Sequence, residues 1–369
     1  MKTEIKTALI MIALIVGIGG VISIFLQQIE TESLEQGIIQ SDVVNLANIK
    51  SSLKQVPKLD GISGYINTTP EELQEMIQDK VVLYDIWTYT CINCIRTIPY
   101  INAWNEKYAD DGLQIIGVHS PEFEFEKDIT NVQLAVEKYD IQYPVILDND
   151  KKIWDAFENR YWPRKYLADN EGYIRYDHIG EGAYEETEKS IQKLLKERAI
   201  ALEISMVSAE SVVDLEEFEH TRFRTPELYF GYELASGRNQ LGNPQGFEPG
   251  NEVRYTIPEN LRQNYFYLEG TWLSLKDGMK LVSDSGVIKV PYFAKEVNIV
   301  GANDAILTIL VDGKPITADL AGRDVTPDGK VYVKNSDLYN IIDSDEADSH
   351  TLEIHVSDFG FEAYTFTFG

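Results

Sequence analysis

Cys91 and Cys94 are the only cysteines in the chain, separated by Ile92 and Asn93. They follow an apolar, strand-like run (Val81, Val82, Leu83, Tyr84, Asp85, Ile86, Trp87) and open a helix-like one. Two thiols at this spacing between a strand and a helix suit a redox dithiol. A helix N-terminus presents unpaired N–H groups and a partial positive charge, which favour a thiolate at Cys91 and make it the attacking sulfur. Cys94, one turn on, then resolves the mixed disulfide. Zinc wants four ligands, and the chain offers no third cysteine and five histidines, of which only the distant His350 and His355 have a metal-like spacing. A purely structural disulfide here would close too short a loop to restrict the unfolded chain much.

Asp85 lies six positions before Cys91, inside the apolar strand. Desolvation there would raise its pKa and let it exchange a proton with Cys94 during thiol exchange. The alternative is a strand residue facing polar surroundings. Burial of an unpaired carboxylate is costly and needs a reason, which favours the functional reading.

The elements that position these residues follow from the rest of the chain. Its 369 residues suffice for two domains. A net charge of −27 argues against a nucleic-acid partner, since a protein that neutralises phosphates is basic. Residues 1–6 form a short cytoplasmic tail with Lys2 and Lys6. Residues 7–26 carry no charge and are long enough to span a bilayer. Lysines before this span and Glu30, Glu32 and Glu35 after it predict an uncleaved anchor with the remainder exported. Residues 27–60 read as a tether. A compact domain then spans 61–198. It begins with a helix whose Thr69, Pro70 and Glu72 supply an N-cap, an N1 proline and a capping-box glutamate. Ile95, Ile98, Ile101 and Trp104 mark the buried face of the dithiol helix, with Pro99 inside it. A strand over 114–118, a helix over 128–139 and a strand over 143–147 follow. Such alternation predicts βαβ units around a mainly parallel sheet. A strand entered through Pro163 pairs across Asn170, Glu171 and Gly172 with a second over 173–178, and a helix over 185–196 closes the domain.

This order resembles a thioredoxin fold, in which a cis-proline faces the dithiol. The resemblance implies that Pro163 is that proline, with Trp87 and Trp162 beside it as substrate-binding residues. WTYTCINC, IGVHSPEFEFE, YPVILDN, NRYWPRKYL and GEGAYEETE are more closely similar to the extracytoplasmic part of DipZ-type proteins, within the TlpA-like thioredoxins. So are RTPELYFGY, DLYNII and GFEAYTFTFG near the end, which resemble that family's carbohydrate-binding-module-like C-terminal domain. Between the two, residues 199–224 read as a connector. Residues 225–369 lose helical periodicity and alternate as short strands, with Asp277-Gly278, Asp312-Gly313 and Asp328-Gly329 as turns, which predicts an antiparallel jelly-roll sandwich. Tyr229, Tyr232, Trp272 and Tyr292 are candidates for stacking on a glycan, although aromatics at strand spacing are more often core.

The function expected is an anchored thiol-disulfide oxidoreductase acting on disulfide-containing proteins, without a cofactor: Cys91 attacks, Cys94 resolves and Asp85 moves the proton. DipZ proteins commonly carry a multi-span CcdA-like domain, and this chain has one apolar span. The resemblance therefore implies a separate CcdA-like membrane electron donor and a reductase direction. Many TlpA-like relatives place a glutamate where this chain has Thr97, which leaves Asp85 as the proton partner. Two alternatives stand beside this reading. One is a cell-surface glycan- or envelope-binding protein on a thioredoxin scaffold. The other is a peroxiredoxin-like peroxidase, for which Thr88 fits the family pattern and Tyr84 does not. Asn67, Thr68 and Thr69 form a glycosylation sequon.

Overall fold

The computed structural model describes residues 52–206, 211–218, 224–235, 237–238 and 240–369. The expected anchor over 7–26 and most of the tether lie outside the described residues. Among the described residues no helix is long and apolar enough to cross a membrane.

From Val56 onward the chain forms one compact unit. Its first part contains β1 (Gly64–Ile66), α1 (Pro70–Met76), β2 (Val81–Trp87), α2 (Ile92–Tyr108), β3 (Leu113–His119) and α3 (Ile129–Lys138). It continues with β4 (Val145–Leu147), α4 (Lys152–Ala156), β5 (Arg164–Ala168), β6 (Ile174–Ile179) and α5 (Tyr184–Leu202). The strands form one sheet in the order β1-β4-β3-β2-β5-β6. The βαβ crossovers make β2, β3 and β4 parallel, and hairpin connectivity makes β5 and β6 antiparallel. The capping box forms as expected: the Thr69 hydroxyl accepts from Glu72 N at 3.2 Å, and Glu72 Oε2 accepts from Thr69 N at 3.0 Å.

β2 is buried along its whole length. Val81, Leu83 and Trp87 enter the core beneath α2 and α5, whereas Val82, Tyr84 and Ile86 enter the opposite core with α1 and α4. This is the period-two alternation of a central strand. Asp85 therefore takes a core position on the α2 face, between Leu83 and Trp87.

The boundaries differ from expectation in two places. Residues 56–60 are not free tether: Val56 N donates to Gly172 O at 2.9 Å, and Val56 and Leu59 pack on the core. Two apolar side chains in a polar stretch suffice to pin it. The last helix runs to Leu202, past the expected start of the connector at 199, because Ala199, Ile200, Ala201 and Leu202 continue as helix formers.

The C-terminal region is β-rich. It contains β7 (Leu228–Tyr229), β8 (Glu252–Tyr255), β9 (Tyr267–Ser274), β10 (Met279–Leu281) and β11 (Gly286–Ala302). After these come β12 (Ala305–Val311), β13 (Lys314–Pro315), β14 (Lys330–Val333), β15 (Asp337–Val356) and β16 (Glu362–Phe368). The long strands β11 and β15 pair from Gly286↔Val356 to Gly301↔Asp337, with a bulge between Ala294 and Glu296. Before the bulge β11 also bonds β9, and after it β16, so the bulge marks where the sheet turns over. Asp312 and Gly313 both have positive φ (52° and 73°), as a two-residue I′ hairpin between β12 and β13 requires. Trp272 and Tyr292 are fully buried and Tyr229 nearly so. Three of the four aromatics considered for sugar stacking are thus core.

Candidate active site

Cys91 is the N-cap of α2, and its half-buried sulfur accepts a hydrogen bond from Cys94 N at 3.2 Å. Cys94 faces inward and is 1% exposed. Both are free thiols. Burial pushes the Cys94 thiol well up, and the neighbouring Cys91 and Asp85 push it further. One sulfur thus meets solvent and the helix N-terminal amides, while the other is held protonated beneath it.

Asp85 is 2% exposed, and its Oδ1 accepts no hydrogen bond among the described residues. Desolvation raises its pKa from the ordinary 3.8 to about 6, against an opposing pull from Lys165. Lys165 is the residue that sequence reasoning missed. The β2–β5 register sets it directly across from Asp85. It is fully buried, and its ammonium donates to Gly180 O at 3.1 Å. Burial lowers its pKa, whereas Asp85, Cys94 and Glu181 work to keep it charged. A signal was present: Lys165 stands two residues before Leu167, so strand alternation aims both side chains at one core. Replacing Lys165 with Met should therefore move the Asp85 titration above pH 6, because the opposing pull of its ammonium is lost. An NMR titration of the Asp85 carboxyl carbon checks this, and an unmoved midpoint would show that Lys165 does not act on it.

The segment from Thr88 to Thr90, which carries the chain from β2 to Cys91, is tied down by buried polar groups. Thr88 Oγ1 lies 3.3 Å from His119 Nε2, and burial pushes the His119 pKa to about 3, leaving the ring neutral. Thr90 Oγ1 donates to Glu126 Oε1 at 2.6 Å, while Glu126 Oε2 accepts from Glu122 N and Phe123 N. Glu126, fully buried, was also not foreseen.

The Trp162–Pro163 peptide bond is cis. The pairing of Ile86 with Arg164 brings Pro163 to the end of β2, from which the chain runs to Cys91. Trp162 is half-buried, donates from Nε1 to Ser120 O at 2.9 Å and packs on Trp154 at 4.3 Å. Trp87 differs from expectation. Its ring is 1% exposed and edge-on to His119 at 5.4 Å, so it supports the site from inside the core and offers no surface to a substrate. No group of three or more metal-binding side chains occurs among the described residues. The sequon asparagine, Asn67, uses its amide to donate to Ile141 O at 2.9 Å and Tyr143 O at 3.3 Å.

A sheet of this order, a CxxC pair capping the helix after its central strand and a cis-proline opening the adjacent antiparallel strand define a thioredoxin-like fold. Residues 63–195 match the Redoxin family, and residues 225–369 match the family described as thioredoxin like C-terminal domain. Protein DipZ of Mycobacterium bovis is 34% identical over 358 residues, covering 93% of this chain and 48% of that protein. The chain thus spans about half the length of that relative. Thiol-disulfide oxidoreductase YkuV of Bacillus subtilis is 30% identical over 142 residues, covering 38% of this chain and 95% of that protein. The solution structure of a thioredoxin-like protein in the oxidized form is 31% identical and covers 39% of this chain and 97% of its own, with a TM-score of 0.36. The chain belongs to the DipZ-related, TlpA-like family of thioredoxin-fold thiol-disulfide oxidoreductases.

Proposed function

We propose that this protein reduces disulfides in protein substrates outside the cytoplasmic membrane, using Cys91 and Cys94. The observation that carries the reading is the asymmetry of the two sulfurs: Cys91 is half-buried at a helix N-terminus, and Cys94 is buried, its thiol raised in part by the charge of Asp85. The Cys91 thiolate attacks a substrate disulfide and expels one substrate thiolate. Cys94 then gives its proton to Asp85, attacks Cys91 and releases the second substrate sulfur. Two electrons pass to the substrate, and the enzyme is left with a Cys91–Cys94 disulfide. Pro163 and Trp162 border the approach to Cys91. Residues 7–26 anchor the chain, 56–202 form the redox domain and 225–369 a jelly-roll sandwich. A separate CcdA-like membrane protein returns the electrons.

Limited alkylation of the reduced protein at neutral pH, mapped by mass spectrometry, tests the assignment. Cys91 should be labelled first, and preferential labelling of Cys94 would overturn it. The Thr88 hydroxyl faces His119, which gives the peroxidase alternative no support.

A second reading is favoured by a cleft of about 810 Å³ in the β-rich region. Thr271, Ser283, Ser285, Thr308 and Ser357 line it together with Arg254. Hydroxyls beside a cation suit a polyhydroxylated ligand such as a glycan. Binding to an immobilised glycan panel, lost on Arg254→Ala, is the expected result on that reading.

A further inference from the structure

Ile92 stands between the two cysteines, yet it is only 6% exposed. What covers it comes from the β-rich region: Tyr229, Val300, Ala302, Leu338 and Tyr364 share one apolar cluster with Ile92 and Phe123. The Tyr364 ring lies 5.2 Å from Phe123 and 4.7 Å from Phe125, both just past β3. Polar contacts fasten the rim. Tyr229 OH donates to Glu122 Oε1 at 3.0 Å, Glu124 N donates to Asp277 Oδ2 at 3.0 Å, and Lys138 pairs with Asp337 at 2.6 Å. On α2, two residues past Cys94, the Arg96 guanidinium pairs with Glu296 of β11 and lies over the Phe218 ring, 3.3 Å from its centroid. The cover therefore holds the β3 flank and top of the dithiol helix. The sheet order puts β5 on the other side of β2 from β3. On that flank Tyr161 is 52% exposed and Trp162 half-buried.

We propose that the β-rich region selects substrates by shape: it walls off one side of Cys91, so the dithiol accepts a disulfide carried on an extended, locally unfolded chain and rejects one set in the face of a folded protein. This rests on the oxidoreductase reading above and names its substrate class. The wall works sterically. In-line attack on a disulfide needs the Cys91 sulfur to reach along the S–S axis, and a broad folded surface would collide with the residues above Ile92 before that contact forms. A single strand entering beside Tyr161 and Trp162 would not.

Single-turnover oxidation of the reduced full chain, followed by thiol trapping, tests this with three disulfides: oxidised glutathione, a linear unstructured peptide, and that peptide's sequence held in a compact folded protein with its disulfide solvent-exposed. The peptide should react at least tenfold faster than the folded protein. Glu296→Gln with Asp337→Asn removes two ionic fastenings while keeping side-chain shape. This variant should narrow that ratio at least threefold by speeding the folded substrate, with the glutathione rate unchanged. Equal wild-type rates for peptide and folded protein would overturn the proposal, as would a folded variant with an unchanged ratio. If the variant does not fold, the wild-type ratio decides alone. No reaction with any of the three would instead sink the oxidoreductase reading itself.

Discussion

Replacing Cys91 with Ser should abolish disulfide reduction, lowering the rate by on the order of 10³-fold or more, as loss of a nucleophile does elsewhere. Replacing Cys94 with Ser should produce a different failure. Cys91 still attacks, but no thiol remains to displace the substrate, so a mixed disulfide accumulates. A non-reducing gel shift equal to the substrate mass, reversed by dithiothreitol, is the expected readout. The two phenotypes are separable because Cys91 alone meets solvent while Cys94 is 1% exposed. If Cys91→Ser trapped substrate and Cys94→Ser failed to react, the roles would be reversed.

The second large effect concerns stability and rate together. Asp85 has a folded pKa of about 6 against an ordinary 3.8. A carboxyl raised in this way binds its proton more tightly when the protein is folded, so between about pH 4 and 6 the native state holds more protons than the unfolded one. Stability then falls as pH rises through that window and levels off above it. Asp85→Asn carries no such penalty and should gain about 3 kcal/mol over the wild type at pH 7, with the gain vanishing below about pH 4. It should also slow resolution by Cys94 by roughly 10²-fold, because the proton acceptor is gone. Urea unfolding at pH 7 and pH 4, with stopped-flow resolution kinetics, checks both. A stability difference independent of pH would show that Asp85 does not ionise in this window. The site would thus be a place where function is retained at a cost in stability.

Much of this was legible locally. The dithiol, the strand before it and the helix after it are adjacent in sequence, so period-two and helical patterning suffice to position Cys91, Cys94 and Asp85. The same holds for the Thr69 capping box and the Asp312-Gly313 turn, whose chemistry is complete within four residues. Lys165 was not legible in the same way, because its meaning depends on the β2–β5 register that sets it across from Asp85. Glu126 depends on a loop that returns to Thr90. The burial of Trp87 follows from its place in a strand buried on both faces, which an apolar run permits but does not require. Least legible was the cover over Ile92, since its parts come from residues 229 to 364 and meet only after both regions fold.

That cover links oxidation state to domain docking. Ile92 lies inside the small ring that a Cys91–Cys94 disulfide closes, and its side chain is gripped from outside that ring. Closing the ring and gripping Ile92 therefore act on the same backbone. By thermodynamic reciprocity, whichever oxidation state the β-rich region holds more firmly is the state it favours. For a two-electron couple, each 1.4 kcal/mol of difference in grip moves the reduction potential by about 30 mV. A difference in grip between the two states would let substitutions at Leu338 or Val300, which touch neither sulfur, move the potential of the dithiol.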